Sequence, residues 1–439
     1  MIFDAQDNPL AGATIAGRDL FDRGCLDFAR FTGDPVALFD AALAEAPGCT
    51  MAVLAKAWCL MLATEPAANR AAAALVAGIP DHGLDERCAG HKAGLLAATA
   101  GNWRVAAHLM ERHNAAFPRD LIGLQAGHML DFLCADARTL RDRIARALPK
   151  WDAVPGQSLV QGMLAFGLEE SGAYGEAEAM GCCALDRDPG DVWAHHAVAH
   201  VMEMQGRAAE GLAWSQLREP HWAAEDNFLK VHNWWHRALC HIELADPAGA
   251  LDVFDHRLAQ VSSAQDLIDA SALLWRLDLS GFALGDRWDG IATAWQAHAD
   301  ANLSAFNNLH AGMAWLGAGR DGLVADQLAC TEQAGGSEAA DWIAKIGRPL
   351  VLGFEAFRKA RYDEAVHLLW PARRIYGQFG GSHAQRDVID WTLTEAAVRG
   401  RIGGLAEALV NERLARRPHS PVNLTMQARV TGAKVPAFA

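Results

Sequence analysis

The chain has 439 residues, 51% of them hydrophobic and 21% charged, a globular composition that excludes a disordered polymer and leaves ample apolar surface for a large core. Its 53 acidic side chains outnumber 39 Lys and Arg, for a formal charge of −14, and no basic block is long enough to track phosphates, so the balance argues against nucleic acid as a partner. No window approaches the ~18 apolar residues of a membrane span, and the opening MIFDAQDNPLAG has neither a basic n-region nor an apolar h-region; the expectation is a soluble, cytoplasmic chain with no membrane partner.

Ala- and Leu-rich segments with few alternating β-branched runs predict an all-α fold. In chain order, a helix is predicted over Asp34–Ala46, followed by GNWRVAAHLMERHNAAFP (Gly101–Pro118), a turn, a helix and a Pro stop with Trp103 in an aromatic slot and Ala106 at a close approach. A helix over Ala137–Leu148 comes next, then the clearest unit, GAYGEAEAMGCCALDRDP (Gly172–Pro189), with Tyr174 as the aromatic plug and Ala177 and Ala184 as close-approach residues. Weaker copies follow at Gly206–Trp214 and Ala245–Phe254, a helix outside the pattern at Asp266–Leu279, a poorer copy at Gly319–Leu328, and a good one at Arg361–Gly377 with Tyr362 and Ala365. After Pro418 the helical periodicity is poor. The expected organisation is therefore one helical array over residues 1–418 and an extended or docked tail over 419–439. Nine cysteines, an odd number with no C-x-x-C pair, predict free thiols in a reducing compartment.

These units resemble tetratricopeptide repeats, helix-turn-helix modules of about 34 residues, which predicts about ten to thirteen helical pairs. The resemblance implies an irregular right-handed α-α superhelix in which consensus units sit among degenerate pairs.

The chemistry-bearing residues concentrate between Trp193 and Glu243. Eight of the 18 histidines fall between His195 and His256. His196, His200 and Glu203 recur at steps of four and three, and His232, His236 and Glu243 at steps of four and seven, so each set shares one helix face. A single buried histidine satisfied by a carbonyl is the ordinary case in helical proteins, whereas two i,i+4 pairs on successive helices point to a pocket.

The strings HAVAHVMEMQGRAAEGLAW, HNWWHRALCHIE, DLIDASALLWRLDLSG and FNNLHAGMAWLGAGR, in that order and spacing, resemble the tetratricopeptide repeat protein 38 family over roughly residues 90–400. The resemblance implies fold and supplies no defined activity. Because the first helix of each tetratricopeptide pair lines the concave groove, it also implies that His196, His200, Glu203, His232, Trp235 and Glu243 face that groove, with His236 at the edge of the stripe.

H-x-x-x-H on a helix aims both rings the same way, as a divalent metal site requires; the metal is unassigned, and Glu203, Glu243 and Asp269 are the candidate carboxylates. Without a metal, His200 or His236 acts as acid or base, oriented by Asp269, which interrupts the apolar run LIDASALLW. A buried ion pair with Arg276, seven residues on, is the competing and slightly favoured use of Asp269. His310 is a more distant candidate for the same groove. No phosphate-binding Gly loop, G-x-S-x-G elbow or Cys–His nucleophile pair is present. Two functions follow: a small-molecule pocket for a polar metabolite, with metal-assisted or acid–base hydrolysis as the reaction class, or a scaffold that binds a peptide or protein in its groove with the histidines structural. Self-association is left open.

Overall fold

Acceptor side chains placed one residue ahead of the helical run start many helices of this chain. In the computed structural model, which describes residues 2–299, 302–332 and 335–433, Asp34, Asp85, Asp120, Asp136, Ser263, Ser304, Ser382 and Ser420 each accept a backbone N–H of the first helical turn. Gly172, Gly206 and Gly319 turn the chain at φ +78°, +70° and +69°, a region open to glycine at little cost. Helix follows helix from Ile15–Arg30 to Pro421–Thr431, 24 α-helical segments in all among the described residues, within the range set by the repeat length. No strand is present among those residues, only the isolated bridges Phe3–Pro9 and Thr32–Asn227. The fold is all-α, built of tetratricopeptide-like helical pairs with irregular repeats.

The pairs group into two compact units where the sequence suggested one array. The first comprises residues up to Val198, Pro220–Lys230 and Ser337–Ala339; the second comprises Ala199–Glu219, Val231–Gly336 and residues from Ala340 onward. In the first unit the helices Gln157–Glu170 and Tyr174–Arg187 pack as a hairpin, and the expected close-approach residues Ala177 and Ala184 are wholly buried. Trp58, Trp151, Phe21, Phe39 and Phe166 fill its core. In the second unit Trp275, Trp295, Phe254 and Phe354 are fully buried, and the indoles are also satisfied: Trp275 Nε1 donates to Thr392 Oγ1 at 3.0 Å and Trp295 Nε1 to Ser271 Oγ at 2.9 Å.

The segment after Pro418, where helical periodicity is poor, is docked and helical over Pro421–Thr431. Ser420 caps a helix over Pro421–Thr431, Pro421 takes the first turn, and Asn423, 1% exposed, donates to the carbonyls of Arg413 and Arg417. Its anchoring residue is polar, which is why apolar periodicity fails to reveal it. Residues 434–439 of the expected tail lie outside the described residues. No helix among the described residues is long and apolar enough to cross a membrane.

Candidate functional site

Residues of the second unit on three helices supply the chemistry. His200 and Glu203 come from the helix Val192–Met204, His232, Trp235 and His236 from Lys230–Glu243, and Asp269 and Arg276 from Ala264–Leu279. Helical spacing aligns the members of each pair. Packing then opposes each histidine to a carboxylate from a neighbouring helix.

His232 Nδ1 lies 2.8 Å from Asp269 Oδ2, and His236 Nδ1 lies 2.9 Å from Glu203 Oε2. An ionised carboxylate only accepts, so each Nδ1 carries a proton. The two Nε2 atoms face each other at 3.2 Å. The His200 ring stands 4.5 Å from that of His236 at 60°, and one ligand-type nitrogen from each of His200, His232 and His236 falls within 4.8 Å of the others. Burial first, then the neighbouring His200, His232 and Arg276, hold the His236 imidazole well below the usual histidine range, so it is neutral at pH 7. His200 and His236 are 0% and 4% exposed, and the His232 side chain, at 14%, is the more open of the three. The centre is thus enclosed by helices, where the sequence placed it on an open groove. An imidazole pair of this kind, each ring oriented by a carboxylate, can pass a proton or hold a cation.

Trp235, expected to meet a ligand from the groove, is wholly buried and supports the site from behind. It stacks on His232 at 5.2 Å and 16°, with the Arg276 guanidinium 5.3 Å from its ring. Asp269 serves His232 and not Arg276, contrary to the slightly favoured ion pair. Arg276 instead donates to the carbonyls of Ala272 at 3.2 Å and Ala384 at 2.8 Å, because the helix His383–Arg399 brings its N-terminal turn to the guanidinium. Glu243 does not reach the imidazoles; it shares Arg417 with Glu203, each at 3.4 Å. His310 keeps to its own helix, donating from Nδ1 to the Phe306 carbonyl at 2.8 Å, and its pKa falls to about 4 chiefly through burial, with the Phe306 carbonyl opposing and Arg276 adding to the shift. His196 belongs to the first unit, where its ring stacks on Trp193 at 4.9 Å and lies 5.3 Å from Phe166.

Arg417 and Asp387 are the residues that sequence spacing missed. With Glu203, Glu243, Arg276 and Leu239 they border a recess of about 10 Å³, room for one water molecule and no more. Burial acts to lower the Arg417 pKa, but Glu243, Glu203 and Asp387 outweigh it and raise it; Arg413 and Arg417 in turn hold Asp387 low against its own burial. The only local hint is the run RLARRP, and nothing in it selects glutamates 174 and 214 residues away.

The first unit holds a superficially similar group with different logic. His91 and His113 direct Nε2 to one oxygen of Asp120, at 2.8 and 3.1 Å, while Arg87 binds the same carboxylate at 2.7 and 3.1 Å and Trp58 Nε1 donates to His91 Nδ1 at 2.9 Å. The cation this cluster needs is already present as a guanidinium.

No protein-family model matches the chain. Among solved structures it is similar to a chain of the crystal structure of the APC/C hetero-tetramer Cut9-Hcn1, with a TM-score of 0.46 and 13% identity, covering 97% of this chain and 78% of that one.

Proposed function

We propose that this chain is a helical-repeat binding protein whose second unit is built around the His200/His232/His236 centre, the bound species being a small polar molecule or ion. One observation carries the reading: two imidazoles, each fixed through Nδ1 by its own carboxylate, converge through Nε2 at 3.2 Å. Membership in the tetratricopeptide repeat protein 38 family belongs to the same proposal and rests on the four sequence segments quoted above. So does hydrolysis as a reaction class, with His236 as the neutral base.

A second reading makes the chain a scaffold for a peptide or protein partner, with the histidines structural. The near-complete burial of His200 and His236 favours it. Thermal shift against a panel of small polar metabolites and divalent ions separates the two. We expect at least one compound or ion to raise the melting temperature of the wild type by several degrees and to leave H236Q unmoved. A flat response to the whole panel, with H236Q melting lower than the wild type, overturns the ligand-centre reading in favour of the scaffold.

A further inference from the structure

The geometry points to a site for one divalent transition-metal ion of the zinc class on His200, His232 and His236, with Asp269 and Glu203 as the carboxylates behind two of the ligands. This rests on the ligand-centre reading and names its occupant.

Three observations converge. Two ligands of a tetrahedral zinc site, each about 2.0–2.1 Å from the metal, stand about 3.3 Å apart, and the Nε2 atoms of His232 and His236 are 3.2 Å apart. Both Nδ1 atoms are held by carboxylates, the arrangement that orients ligating imidazoles in carboxylate–histidine–metal chains. A third imidazole lies within ligand reach of both. Neutral imidazoles suit zinc, copper, iron or nickel and not magnesium or calcium. The His91/His113/Asp120 group also meets the distance condition, but His91 accepts from Trp58 Nε1 through Nδ1 and donates through Nε2 to Asp120, so it has no lone pair to offer a metal. It therefore serves as an internal control.

A shared proton between the two Nε2 atoms fits the same 3.2 Å approach, and the experiment must separate it from a metal. Full-length chain is stripped with chelator, loaded with Zn(II) or Co(II), desalted, and assayed by elemental analysis and visible absorption. We expect about one equivalent of Zn(II) per chain, tetrahedral d–d bands with Co(II), loss of both in the double variant H232A/H236A, and metal affinity weakened ~10–100-fold in D269N and in E203Q. Metal retained by the double variant, or a folded wild type that takes up neither ion while its imidazole N–H proton titrates as a shared N–H···N bond, overturns the proposal. If the double variant fails to fold, D269N and E203Q decide: unchanged affinity in both overturns it. A wild type stabilised by a metabolite while free of metal keeps the ligand-centre reading and removes the metal. Failure of both returns the chain to a scaffold.

Discussion

His91 and His236 are both buried imidazoles, 0% and 4% exposed, yet their partners differ in kind. His91 sits between an indole donor and a carboxylate shared with Arg87, whereas His236 faces a carboxylate on one side and a second imidazole on the other. The presence and helical phase of His232 and His236 were legible in the sequence, but their partners were not, since Asp269 and Glu203 lie 37 and 33 residues from the histidines they orient. His310 gives a test of burial at this scale. Its pKa falls to about 4 in the folded chain against 6.5 unfolded, so between those values the unfolded chain binds the extra proton and stability falls as pH drops. Replacing His310 with Gln removes that dependence. Between pH 6.5 and 4 the wild type should lose about 3 kcal/mol more than H310Q, read from denaturant melts at both pH values. Parallel pH profiles for the two proteins would show that His310 is not held neutral by burial.

Helix limits were legible wherever a cap or a stop lay in the local sequence. Pro35–Glu45 and Ala137–Ala147 fall within a residue or so of the predicted spans, and Ala264–Leu279 begins two residues earlier than predicted because Ser263 accepts from Asp266. Pro421–Thr431 was missed because an asparagine anchors it. Two glycines test the packing between elements. A Cβ on Gly317 would lie 2.3 Å from Cδ2 of the buried Trp288, so G317A should destabilise by about 1–3 kcal/mol through overpacking. Gly322, inside the helix Asp321–Glu332, has nothing within 4 Å of an added Cβ, and G322A should stabilise by about 0.4–1 kcal/mol. Thermal melts of the two variants should move in opposite directions. Equal losses in both would contradict the packing of Trp288 against the C-terminal turn of Ala305–Gly317.

For the whole molecule, the odd cysteine count predicted free thiols, and all nine are free in the structure, with Cys183 and Cys330 exposed and Cys25, Cys49, Cys88 and Cys134 buried. Burial pushes the Cys25 thiol well up, which suppresses its thiolate. Native chain should therefore react rapidly with Ellman's reagent at two positions, and denatured chain at nine. Fast labelling of four or more thiols in the native state would show that these helices are packed differently. The sequence by itself determined what depends on neighbours along the chain: helix, turn and cap positions, the repeat, and the alignment of His232 with His236, because the 3.6-residue period makes that alignment local. Only the tertiary structure decided which carboxylate met which cation. Asp269 had Arg276 two turns on along the same helix face and took His232, and Arg417 came to stand between Glu203 and Glu243. Partner choice of that kind depends on which helices pack together and on the cost of leaving a charge unpaired in the interior, and neither quantity is written in local spacing.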